Sequence, residues 1–172
     1  MIQRLDHYIA REDDSVDWIL WCDEVKQMMT EYWKSIDTVV MGRKTYEATL
    51  AMGAGDGVVP FVKTYIMSRT LQPDPDRDKG AVIVNRDAVE FLAELKEQEG
   101  KDICVMCGGE LAESLLGAGL IDEIGLNLHP VLLGSGVPLF RGLARQIDLE
   151  LTECRELPNG CVCVTYRVRA QG

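Results

Sequence analysis

Hydrophobic positions change period several times along the chain, and each change marks an element. Residues 15–34 carry Val16, Trp18, Ile19, Trp21, Val25, Met28, Met29 and Trp33, and from Cys22 onward their spacing puts one apolar stripe on a helix. Ile36-Asp37-Thr38-Val39-Val40-Met41 is short and rich in branched residues, which predicts a buried strand interrupted by Gly42. Residues 44–50 read as a helix and Gly53-Ala54-Gly55-Asp56-Gly57 as a loop. Residues 63–67 and 81–84 are further strands, with a chain break at Pro73 and Pro75 between them. Asp87 is placed to cap a helix with Glu90 as its reciprocal partner. Ala88, Phe91, Leu92 and Leu95 form that helix's apolar face, and Gly100 ends it. A strand at 103–107, a turn at Gly108-Gly109 and a helix at 110–116 follow, the helix closed by Gly117 and Gly119. Residues 123–131 contain a long strand. Residues 148–155 and 161–168 alternate as two strands about Pro158-Asn159-Gly160, a hairpin.

Strand–helix units followed by an antiparallel end predict an α/β fold, a mostly parallel mixed sheet with helices on both faces and a C-terminal antiparallel hairpin. No repeat or low-complexity linker divides the chain, so a single domain over residues 1–172 is expected.

Composition narrows the function. The net charge of -10 is spread through the chain and argues against nucleic-acid binding, although a few local cations can still attract a small anion. No apolar run is long enough to cross a bilayer, and Met1-Ile2-Gln3-Arg4-Leu5-Asp6 lacks the apolar stretch of a signal peptide, so no membrane partner and a cytoplasmic location are expected. The six cysteines, Cys22, Cys104, Cys107, Cys154, Cys161 and Cys163, read as free and mostly buried thiols. Cys104 and Cys107 lie on a strand, which makes a poor redox pair. With only His7 and His129 to add, no metal site is expected.

Two glycine-marked strand ends carry candidate chemistry. In Val40-Met41-Gly42-Arg43-Lys44-Thr45-Tyr46-Glu47, glycine lets backbone approach a phosphate, the helix start offers amide groups, Arg43 supplies a fork and Thr45 a hydroxyl. Glu47 reads as a favourable first-turn carboxylate. The paired glycines of Val105-Met106-Cys107-Gly108-Gly109-Glu110-Leu111 would let a pyrophosphate or ribose lie against the backbone. The alternative is that both places are tight turns with a solvated Arg-Lys pair. Neither the triphosphate-loop pattern nor the Gly-x-Gly-x-x-Gly fingerprint occurs.

These stretches, with Ile66-Met67-Ser68-Arg69, Gly119-Leu120-Ile121-Asp122-Glu123, His129-Pro130-Val131-Leu132-Leu133-Gly134-Ser135-Gly136 and Pro138-Leu139-Phe140, resemble the dihydrofolate reductase-like family, which includes the C-terminal reductase domain of the riboflavin-pathway deaminase/reductase. The resemblance spans residues 5–168. It implies a dihydrofolate reductase-like three-layer fold and NADPH as hydride donor. By position, Gly42, Arg43, Lys44 and Thr45 would contact the pyrophosphate and adenosine phosphate. Ser68 and Arg69 would lie by the 2′-phosphate. Cys107, Gly108, Gly109, Glu110 and Leu111 would line the pyrophosphate and nicotinamide side, and Ile9 and Ala10 the nicotinamide ribose. The same resemblance places a carboxylate five residues after a tryptophan, a spacing met here by Trp18 and Asp23, with Asp17 and Glu24 as neighbours. It also places Asn127 on the strand that supports the substrate. Asn127 would hydrogen-bond a pterin- or pyrimidine-like ring, or serve the structure.

Three departures qualify the resemblance. Only Met1–Arg4 precede Leu5-Asp6 where relatives have a full apolar strand, so a weakened sheet centre and reduced cofactor binding are expected. His7 stands where glycine is common and reads as a loop or partner contact. Cys107 replaces the first glycine of the usual pair, at a place where dihydrofolate reductases carry a cis peptide. The basic and threonine-rich elements of the riboflavin-pathway enzyme are missing from residues 11–20 and 50–60. A stand-alone NADPH-dependent reductase of a small heterocycle, such as a pterin or a riboflavin-precursor pyrimidine, follows. Lys44, Lys63 and Arg141 are the cations to test for a sugar phosphate. The competing reading is a non-catalytic nucleotide-binding or dimer-forming protein. A homodimer through the C-terminal hairpin is expected in either case.

Overall fold

The computed structural model describes residues 1–52 and 61–169, so the expected 53–57 loop lies outside the described residues. In chain order the elements are β1 (Ile2–Arg4), β2 (Tyr8–Ala10), α1 (Asp23–Ser35), β3 (Ile36–Gly42), α2 (Arg43–Ala51), β4 (Lys63–Met67), α3 (Pro75–Asp78) and β5 (Val82–Val84). They continue with α4 (Ala88–Lys96), β6 (Asp102–Met106), α5 (Gly109–Gly117), β7 (Glu123–His129), β8 (Val137–Pro138), β9 (Leu149–Glu156) and β10 (Val162–Val168). The chain forms two compact units, one of Met1–Met29 with everything from Ala112 onward, the other of Thr30–Leu111.

The Thr30–Leu111 unit holds an all-parallel sheet in the order β5-β4-β3-β6. Val39, Val40 and Met41 are buried on successive positions of β3, so both faces of this strand are covered, as a continuous apolar run demands. Ile36, Val39, Met41, Tyr46, Ile66 and Cys104 make one core, with Trp33, Leu50 and Leu71 packed on it. Asp87 caps α4 by accepting from the Val89 and Glu90 amides at 2.9 and 3.1 Å, as its sequence position predicts. Two expectations are corrected. Pro75 starts the short helix α3, capped by Asp74, where proline's missing N–H costs nothing. Gly100 does not end α4, which stops at Lys96. A Cβ at Gly100 would lie 2.8 Å from Asp37 Oδ2, and Asp37 accepts from the Lys101 amide at 2.7 Å, so the missing side chain makes room for that contact.

The other unit holds a mixed sheet, β1-β7-β10-β9, and a small pair, β2-β8. β1 runs parallel to β7 and places Ile2 opposite Asn127 and Arg4 opposite His129. It is short, yet the Met1 carbonyl extends its pairing by accepting from Asn127 N at 2.7 Å. β10 is antiparallel to both β7 and β9, and β9 with β10 forms the expected hairpin. Val25, Leu157 and Cys161 form the local core. β9 ends the sheet and is exposed at every one of its positions.

A mixed α/β arrangement with a parallel sheet and an antiparallel end is therefore present, its strands divided between two four-stranded sheets and the β2-β8 pair. Among the described residues every peptide bond is trans, no helix is long and apolar enough to cross a membrane, and no cluster of His, Cys, Asp or Glu suited to a metal occurs. All six cysteines are free: Cys104, Cys107 and Cys161 are buried, Cys22 and Cys163 half-buried, and Cys154 exposed.

Candidate functional site

The parallel sheet brings the glycine-marked turns together. Strand register sets Gly42 beside Met67 and Met41 beside Met106, so β3, β4 and β6 end side by side. The turns at Gly42-Arg43, Ser68-Arg69 and Cys107-Gly108 thus leave one edge of the sheet, the carboxyl edge where open α/β sheets bind ligands. A Cβ added at Gly42 would come within 3.7 Å of Cys107 Cβ and 3.8 Å of Leu111 Cδ2, so the two glycine turns lie close together, with room for about one methyl group between them.

Each turn offers different groups. α2 starts directly at Arg43, its N-cap is Gly42, and no side chain caps its amides. Such a helix end, with Arg43 and Lys44 in its first turn, favours an anion. Arg43 Nη1 donates to Glu47 at 2.8 and 3.1 Å. Glu47 therefore lies beyond the first turn and steers the guanidinium, which corrects its reading as a first-turn carboxylate. Thr45 is half-buried, and its carbonyl accepts from Thr49. Ser68 Oγ accepts from the Thr70 and Leu71 amides at 3.2 and 2.9 Å, which leaves its own O–H free to be given away. Arg69 is exposed. Burial pushes the Cys107 thiol up to about 12, so it is a neutral wall and no nucleophile. Glu110 is exposed, in the first turn of α5.

In the other unit the expected substrate residues have unlike surroundings. Asp23 opens α1, is well exposed, and pairs with Lys26 Nζ at 2.9 Å. Trp18 is buried and meets the His129 ring edge-on at 5.3 Å between centroids. Its indole N–H and the Asn127 side-chain oxygen are both buried and have no hydrogen-bond partner among the described residues. Ile9 is half-buried on β2. The Ala10 carbonyl is taken by Arg4 Nη2 at 2.7 Å. Asp17 pairs with Arg11 at 2.6 Å.

Arg4 and His129 are the residues sequence reasoning missed. Arg4 is fully buried, with its guanidinium 4.8 Å from the Trp18 ring centre and 5.6 Å from that of Tyr8. Its Nε donates to Tyr8 O at 3.3 Å and stands 4.0 Å from Asp6 Oδ1. Asp6 accepts from the Leu133 and Gly134 amides at 2.7 and 2.9 Å; these bonds and the charge of Arg4 overcome burial and hold its carboxyl below the usual range. His129 Nδ1 accepts from Leu20 N at 3.2 Å with Cys161 Sγ at 3.4 Å, which leaves the ring proton on Nε2. No local sequence signal marks them: it is the pairing of β1 with β7 that sets Arg4 opposite His129.

Known proteins share this architecture. The family model described as the RibD C-terminal domain matches residues 1–163. A Bacillus subtilis protein, YwjB, described as uncharacterized, is 34% identical over 151 residues, covering 86% of this chain and 83% of its own. The crystal structure of a putative riboflavin biosynthesis protein from Shewanella sp. PV-4 superposes with a TM-score of 0.84 at 24% identity, covering 99% of this chain and 97% of that one. A dihydrofolate reductase from Enterococcus faecalis, complexed with NADP(H) and RAB-propyl, superposes with a TM-score of 0.66 at 19% identity over 98% of this chain and 94% of that one.

Proposed function

The chain belongs to the RibD C-terminal domain family, and from that premise we propose that it is an NADPH-dependent reductase of a small heterocycle such as a pterin or a riboflavin-precursor pyrimidine. The observation that carries this reading is the convergence of three turns at one sheet edge, with Gly42 against Cys107 and Leu111. The residues present suit a dinucleotide. Bare amides at the start of α2, with Arg43, Lys44 and Thr45, would hold phosphate oxygens. Ser68 and Arg69 would hold a 2′-phosphate. Gly108 and Gly109 would let the pyrophosphate lie against the backbone, beside Cys107, Glu110 and Leu111. When bound, NADPH supplies the hydride. The chain's part is to fix its phosphates at this edge of the parallel sheet.

Calorimetric titration with NADPH and NADH tests the reading. NADPH should bind more tightly, and Arg43→Ala or Arg69→Ala should each reduce its affinity by roughly tenfold, the worth of one charge-assisted contact. Equal affinity for the two nucleotides in the unaltered chain would contradict it.

One observation favours a second reading, nucleotide binding without catalysis. The expected acid, Asp23, is exposed and ion-paired, while Trp18 is enclosed. NADPH oxidation in the presence of a pterin or diaminopyrimidine acceptor separates the two, since binding without turnover supports only the second. Under either reading the exposed edge of β9 supports a homodimer through the C-terminal hairpin.

A further inference from the structure

A buried polar network links two of the turns just described. Tyr46 follows Thr45 on α2 and is fully buried in the core of its unit. Its hydroxyl donates to Asp78 Oδ1 at 2.9 Å. Asp78 is itself 4% exposed, and its carboxylate also accepts from Arg77 Nε at 2.6 Å, from Arg77 Nη2 at 2.9 Å and from the Asp74 amide at 2.7 Å. Arg77 Nη2 reaches on to the Gln72 carbonyl at 2.8 Å. Leu71, the next residue back, packs on the same core as Tyr46, and its amide donates to Ser68 Oγ. The chain from Ser68 to Asp78 is thereby tied to α2 at one point, one residue beyond the proposed phosphate-binding turn.

Apolar residues would fill this space without burying a carboxylate, which costs free energy unless it is fully paired. A buried charge contributes direction where a hydrophobic contact does not. Here Asp78 spends three acceptor sites on holding its own segment, through Arg77 and the Asp74 amide, and one on Tyr46. We propose that Tyr46, Asp78 and Arg77 are positioning residues that set the distance between the start of α2 and the Ser68-Arg69 turn, so that selection of a 2′-phosphorylated nucleotide depends on this strut as well as on Arg69. The proposal rests on the NADPH reading above.

A double-mutant cycle on the full chain tests it, with NADPH and NADH as the titrants. Tyr46→Phe keeps the ring and removes the hydroxyl. It should lower NADPH affinity about tenfold, the loss of one well-placed charged contact, and leave NADH affinity within about twofold. In an Arg69→Ala background the same substitution should have almost no effect on NADPH. Arg77→Gln, at a half-buried site, should give the same pattern and serves if Tyr46→Phe fails to fold in thermal melts. Equal losses for both nucleotides, or an additive cycle, would show that the network only stabilises the fold and would overturn the proposal. An unaltered chain that does not discriminate the nucleotides sinks the NADPH reading and this one with it. Discrimination that survives Tyr46→Phe and Arg77→Gln sinks this one alone.

Discussion

At His129, burial decides the protonation state. The ring is fully enclosed, accepts a backbone N–H at Nδ1, and burial holds its pKa below the ordinary 6.5. The unfolded chain therefore takes up a proton at a higher pH than the folded one does. The resulting stability is complete above pH 6.5 and is lost as pH falls from there toward the folded-state value. Asp6 and Asp78 act in a lower window. Their carboxyls are held below 3.8, so their contribution is present above that value and is lost as pH falls beneath it. Chemical denaturation at pH 7.5 and 5.0 should show a loss that His129→Gln removes. An unchanged slope in that variant would assign it to other groups.

The elements show how much could be read from the pattern and where it stopped. β3, β4, β6 and the β9–β10 hairpin lie within a residue or two of expectation, because apolar period and turn residues act locally. β2 and β8 were not foreseen, since the strand each pairs with lies far away along the chain. The turn between β1 and β2 is a related case. His7 adopts φ +64, the left-handed region that glycine enters freely, which gives the family's glycine there a physical reason. Histidine tolerates this conformation better than a β-branched residue does. His7→Gly should leave the melting temperature unchanged or raised, whereas His7→Val should cost about 1–2 kcal/mol. If valine is harmless, the turn is not held in this conformation in solution. The site followed the same division. The glycine-marked turns were legible because glycine and arginine at strand ends are local signals. The Arg4–Trp18–His129 cluster was not, because only the β1–β7 register assembles it.

At the scale of the molecule, the unanswered surface is the far edge of the mixed sheet. Among the described residues no strand pairs with the outer edge of β9, which also carries the exposed side chains of Leu149 and Leu151. Long exposed edges of this kind pair with another chain unless something blunts them. A homodimer built on β9 should dissociate on Leu151→Glu, as sedimentation would show; an unaltered chain that stays monomeric at high concentration removes the hairpin as an interface. Cys154 lies on the same strand and is the exposed thiol among the six. Its neighbours in reactivity, Cys22 and Cys163, are half-shielded, and Cys104, Cys107 and Cys161 are enclosed. A thiol reagent added to the native protein therefore meets one fast site, already placed on the edge in question. In a dimer paired through β9 its labelling rate would report association, slowing as protein concentration rises and staying constant in Leu151→Glu.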